Sequence, residues 1–111
     1  MNQWLYVLHP TRPEMLVSGP TAEEAATIGR HAAHCDALGK QGVMLMVGRT
    51  QTTTPDTMGL AVFLAVGEAA ARALMESDPA IAVGVMRGEL FPSRIAFGNA
   101  EGFMKALEAK V

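Results

Sequence analysis

The chain has 111 residues, a formal net charge of -2 and one cysteine, and half of its residues are hydrophobic; this describes one domain with enough apolar side chain for a core without disulfide or metal staples. Its 9 Lys and Arg are scattered instead of clustered, which argues against a nucleic-acid partner, and no apolar run reaches the roughly 18 residues that cross a bilayer. The lone Cys35 cannot form an internal disulfide, and the opening segment Met1 to Pro10 lacks the basic and long apolar regions of a signal peptide, so the expected compartment is a reducing cytoplasm.

Trp4 to Leu8 is aromatic and aliphatic without a break and predicts a first strand, ended by His9-Pro10 because proline cannot donate to a ladder. Thr11 to Gly19, with Pro13 inside it, reads as a loop whose Met15, Leu16 and Val17 fold back over apolar surface at a pocket rim. Thr21 followed three residues later by Glu24 is a capping box, so a helix is predicted from here to Lys40, with Gly42 closing it. Val43 to Val47 is the second strand, Gly48 to Thr57 a threonine-rich connection that turns at Pro55-Asp56, and Leu60 to Val66 the third strand. The alanines of Gly67 to Met75, with Glu68 and Arg72 four apart, predict a second helix. Ala80 to Gly84 bridges to a fourth strand, Val85 to Phe91. Asn99 is placed to cap a C-terminal helix, Ala100 to Lys110, with Phe103, Met104 and Leu107 on its apolar side.

The order βαββαβ with both helices on one face is the ferredoxin-like α+β arrangement. Its strands are apolar at every position instead of at alternate ones, and such strands need a covering layer on each side. Two helices supply about one layer. A second copy of the chain is the economical cover for the other face, so a symmetric homodimer through the sheet is expected, with a small-molecule pocket shaped by the sheet. Residues 1–97 form the predicted domain, and 98–111 a C-terminal helical extension that clasps the partner.

On the first helix, His31 shares a stripe with Ile28, Cys35 and Leu38 that should face the sheet, while His34 lines up with Thr27, Arg30 and Gln41 towards the flank. An inward histidine is either a satisfied core residue or an acid/base group. Asp78, in Ser77-Asp78-Pro79, is either turn and cap chemistry or the carboxylate that orients His31 as a general base. His9, before Pro10, reads as a solvated turn residue. His31, His34 and Cys35 have the spacing of metal ligands on one helical turn, but the helix surface splits the two histidines, so no metal and no cofactor is expected. Cys35 reads as an inert buried thiol. Arg49 at the end of the second strand is either a cation for an anionic ligand at the pocket mouth or a solvated strand end.

At His31, the helix closing at Gly42, the segment Val43 to Thr50 and the stretch Ala73 to Ala80, the chain resembles the YCII-related family, over about Trp4 to Phe97. The resemblance implies a ferredoxin-like, dimeric α/β-barrel fold shared with muconolactone isomerase. It also implies a pocket in which His31 and Asp78 face each other as an acid/base dyad. His34 stands where many members carry an aromatic residue, which implies a more polar pocket edge; His34 there and Arg49 at the strand end are the candidate substrate-binding residues. Some relatives act as lyases or dehalogenases on ring-derived substrates. The expected function is therefore a cofactor-independent lyase or isomerase acting on a small cyclic or lactone-like substrate. The alternative is a non-enzymatic module that binds a small molecule. An RNA-binding sheet is disfavoured by an aromatic content of 5% and the absence of a basic cluster.

Overall fold

Alternate residues along the strands decide the two faces of the sheet. In the computed structural model, which describes residues 1–109, strands β1 (Asn2–Pro10), β2 (Met44–Arg49), β3 (Gly59–Ala65) and β4 (Met86–Pro92) form one antiparallel sheet of order β2-β3-β1-β4. Trp4, Tyr6 and Leu8 of β1 and Ala61, Phe63 and Ala65 of β3 are buried on one face. There they share a core with Cys35 of helix α2 (Ala22–Lys40) and with Ala71 and Met75 of helix α3 (Glu68–Glu76). The ferredoxin-like α+β order is the one expected, with helices on this face.

The opposite face carries an apolar group at its centre, beside a charged cluster of His9, Arg87 and Glu89 at the β1–β4 side. Leu5 of β1 stands opposite both Val62 of β3 and Phe91 of β4, and Val62 also stands opposite Met46 of β2. Phe91 is 42% and Met46 37% exposed.

Local chemistry sets the boundaries. The capping box starts α2 as expected: the Glu24 amide donates to Thr21 Oγ1 at 3.1 Å and the Thr21 amide to Glu24 Oε1 at 2.8 Å. Gly42 follows the helix at φ 76°, where a side chain would be strained. β1 runs past its expected stop, because His9 and Pro10 still pair with Arg87 and Met86; Pro10 is the last residue of its strand, where a missing donor is tolerated. Two single-turn helices escaped the sequence pattern, α1 (Met15–Ser18) within the expected loop and α4 (Pro79–Ala82) within the expected bridge. Four residues are too few to show a period.

β2 carries an irregularity between Met44 and Met46 that shifts its register against β3. Met44 opposes Phe63 on the helix-covered face, and beyond the bulge Val47 opposes Ala61 and Arg49 opposes Gly59 on that same face. Strict alternation from Met44 would have put Arg49 on the other side. The extra residue re-aims it, a common use of a bulge.

Helix α5 (Ala100–Glu108) is capped by Asn99, whose Oδ1 accepts from the Gly102 amide, and none of its residues is buried. Its expected end at Lys110 lies outside the described residues. Among those described, no helix is long and apolar enough to cross a membrane.

Candidate functional site

Asp78 combines the two roles that the sequence left open. It is the N-cap of α4: its Oδ1 accepts from the Ala80 amide at 3.0 Å, with Pro79 in the first turn. The same carboxylate meets His31 of α2, whose Nδ1 lies 2.9 Å from Oδ1 and 2.8 Å from Oδ2. Tyr6 of β1 donates its hydroxyl to Oδ2 at 2.7 Å. Asp78 is fully buried, so its charge is compensated entirely by these donors.

The electrostatics follow from that enclosure. Burial alone would push the Asp78 carboxyl up, but the hydrogen bonds from His31 and Tyr6 outweigh it and hold it below the usual carboxylate value. The hydrogen bond to Asp78, aided by the neighbouring Cys35 thiol and opposed by burial, pushes the His31 imidazole up to about 10. At neutral pH the pair is therefore a carboxylate and an imidazolium, and Nδ1–H is the donor. The imidazole holds its proton because the carboxylate beside it is charged and shielded from water.

His31 lines a cavity of about 280 Å³ between the sheet and the helices. With Nδ1 committed to Asp78, Nε2 is the ring nitrogen left for a ligand there. Leu8, Met15, Ile28, Met58 and Met86 make the lining mainly apolar, and Arg49, delivered by the bulge in β2, is its second cationic side chain. Among the described residues, no Asp or Glu lines it. A Cβ at Gly59 would stand 3.1 Å from Leu8 Cδ1, so glycine leaves the floor between Leu8 and Arg49 open. The volume is near the lower end for small-molecule sites and suits a one-ring ligand.

Two loops form the rim. The segment after β1 is clamped to the start of α2 by Arg12, which donates from Nε to Glu24 Oε2 at 2.9 Å and from Nη2 to Oε1 at 2.6 Å. This pairing holds the Glu24 carboxyl down to about 2. The clamp fixes α1, whose Met15 is buried and, with Leu16, lines the cavity as the loop reading expected. Val17 instead is 77% exposed. Across the mouth, Thr57 donates to the Thr52 carbonyl at 2.7 Å, and the Met58 amide donates to Thr50 Oγ1 at 3.0 Å, which shapes the threonine-rich connection.

Of the sequence candidates, the fold brings His31, Asp78 and Arg49 to this region and leaves His34 out. His34 does not line the cavity; its Nε2 is 3.4 Å from Ser77 Oγ, on the flank that its helical spacing indicated. Thr27, placed on that flank with it, is buried and accepts from Arg30 Nη2 at 2.8 Å. His9 is a strand residue paired with Glu89 at 2.8 Å, not a solvated turn. Cys35 is buried as expected, but its Sγ lies 3.8 Å from His31 Nδ1, beside the ion pair. His31, Cys35 and Asp78, without His34, each offer a ligand atom within 4.8 Å of the others. A cation there would have to displace the hydrogen bonds that already join imidazole and carboxylate. Tyr6 was missed as a site residue, because an aromatic in a strand of continuous apolar residues carries no mark of its polar end.

Comparison with known proteins gives consistent findings. The pattern describing the YCII-related domain matches residues 4–91. No curated protein matches the chain. Among solved structures, a 5-chloro-2-hydroxyhydroquinone dehydrochlorinase of Burkholderia phenoliruptrix, in complex with 2,5-dihydroxybenzoquinone, is similar at 19% identity and a TM-score of 0.51, over 86% of this chain and 95% of its own. A cofactor-independent oxygenase of Streptomyces nogalater matches at 15% identity and a TM-score of 0.46, over 89% of this chain and 100% of its own. At its identity the likeness to the dehydrochlorinase is one of fold.

Proposed function

We propose that this chain, which belongs to the YCII-related family, is a small cofactor-independent lyase or isomerase in which His31, oriented by Asp78, moves a proton on a cyclic or lactone-like substrate. The observation that carries this reading is the His31 Nδ1 pairing with a fully buried Asp78, at 2.8 and 2.9 Å, on the wall of an apolar cavity. A purely structural ion pair has no need of an open cavity on its other nitrogen. An imidazolium with Nε2–H towards the ligand gives its proton to a developing carbanion or a departing group, and the neutral imidazole it becomes takes one back later in the cycle. Arg49 is the residue for an anionic substituent, because guanidinium matches a carboxylate or ring oxyanion and no acid on the lining competes. The dehydrochlorinase of like fold acts on a hydroxylated ring, which makes halogenated hydroquinones a reasonable part of a substrate panel beside lactones. Turnover of a member of that panel, with a rate that changes as His31 titrates, is the expected result. Saturable binding without turnover at any pH would leave only the binding-module reading, in which His31 donates a hydrogen bond to a sequestered metabolite.

The functional unit in this reading is a cytoplasmic homodimer joined through the open sheet face. Leu5, Val62, Met46 and Phe91 are apolar neighbours on that face, with Met46 and Phe91 exposed, and contiguous exposed apolar surface is a common mark of an interface. Sedimentation at micromolar concentration should give twice the chain mass for the wild type. Val62→Asp, which puts a charge at the centre of the patch, should give monomers that keep their secondary structure. Monomeric wild type under those conditions would remove the dimer from the proposal.

A further inference from the structure

The Asp78 carboxylate is held from two sides before the imidazole reaches it. Oδ1 takes the Ala80 amide at 3.0 Å and Oδ2 the Tyr6 hydroxyl at 2.7 Å, and His31 Nδ1 sits between the two oxygens at 2.9 and 2.8 Å. One fixed donor per oxygen sets the plane of the carboxylate, and that plane sets the imidazole. Tyr6 is fully buried and does not line the cavity, so a ligand cannot touch it. Its ring is fixed against Phe63, at a centroid distance of 5.5 Å and an angle of 55°. Burial, then the hydrogen bond to Asp78, pushes the phenol pKa well up, which keeps it a neutral donor.

We infer that Tyr6 is a positioning residue that shares the charge of Asp78 and thereby sets the acidity of the His31 imidazole that faces the cavity. The inference rests on the acid/base reading of the pair. A hydroxyl donating to Oδ2 stabilises the carboxylate and weakens its pull on the imidazolium, so the tyrosine moderates the proton affinity that Asp78 imposes. The groups facing His31 are Asp78 at the start of α4, Tyr6 of β1, Cys35 one turn along α2 and Arg49 of β2 on the cavity lining. Of these, Tyr6 can lose its polar atom with little change in shape, since the Phe63 packing is made by the ring.

The test is an NMR titration of the His31 imidazole in the wild type, in Tyr6→Phe and in Asp78→Asn, with thermal unfolding of each at pH 7. The expected result is a His31 pKa that rises in Tyr6→Phe and falls in Asp78→Asn. An unchanged or lowered value in Tyr6→Phe, with the fall in Asp78→Asn retained, overturns the inference and leaves tyrosine a packing residue. A value that ignores Asp78→Asn overturns the pairing itself, and the proposed function with it. Should Tyr6→Phe fail to fold, Tyr6→Trp does not substitute for it; the phenol is then read by replacing Tyr6 with 3-fluorotyrosine, whose more acidic hydroxyl donates more strongly and should lower the His31 pKa. No shift in that protein overturns the inference equally.

Discussion

Asp78→Asn is expected to bring the His31 pKa well down from about 10, because the hydrogen bond to the carboxylate is the largest cause of the rise and its loss leaves only the Cys35 thiol to oppose burial. The amide keeps an acceptor for the Ala80 N–H but offers the imidazole an NH₂ group, so the neutral ring turns to the tautomer that accepts at Nδ1 and carries its hydrogen on Nε2. A ring in that state has neither the spare proton nor the free lone pair that the proposed chemistry needs at the cavity. Asp78→Ala should do more damage, since it leaves the Tyr6 hydroxyl, the Ala80 amide and His31 without their common acceptor. Removing one partner of a buried pair costs roughly 3–5 kcal/mol. Denaturant unfolding at pH 7 should show that loss for Ala and a smaller one for Asn. Equal stability of wild type and Asp78→Ala would mean that water already reaches the carboxylate.

How much of this was legible in the chain depends on the range over which each signal acts. Signals written within a few residues read correctly: Thr21 with Glu24 starts α2, Gly42 turns the chain after it, and Asn99 caps α5. The stripe Ile28, His31, Cys35 was readable because a helix repeats on a period that the sequence displays, and His31 and Cys35 do meet the buried side. The two readings of Asp78 could not be separated, because a cap needs only Ala80 two residues away while the ion pair needs α2 to pack 47 positions distant. Both are true of the same side chain. Arg49 reaches the cavity only through the irregularity after Met44, and a bulge is set by pairing with β3, not by composition. Alternation without it would have discarded the residue. The resemblance puts His34 at the pocket edge, whereas its own helical spacing puts it on the flank, where it lies beside Ser77 and outside the cavity lining.

His31→Gln separates the imidazole's chemistry from its part in holding Asp78. Glutamine keeps an N–H donor on the same face of α2, so Asp78 is not left as an uncompensated buried charge, as it would be in His31→Ala. Turnover of any substrate found in the panel should fall by about 10²–10⁴-fold, the usual contribution of a positioned acid/base group, while unfolding at pH 7 stays cooperative. The pH dependence of stability supplies a second readout that needs no substrate. His31 binds its proton up to about 10 in the folded chain and only to 6.5 when unfolded. Its contribution to stability is thus fully present below pH 6.5 and is lost as pH rises through about 10. Asp78, lowered on folding, acts at the other end: its contribution is present above the ordinary carboxylate pKa and is lost as pH falls through the folded value. Wild-type stability should therefore decline between pH 6.5 and 10, and the His31→Gln profile should be flat over that window apart from groups common to both. Parallel curves would mean that folding does not raise the His31 proton affinity, and the imidazolium could then not be the resting acid of this site.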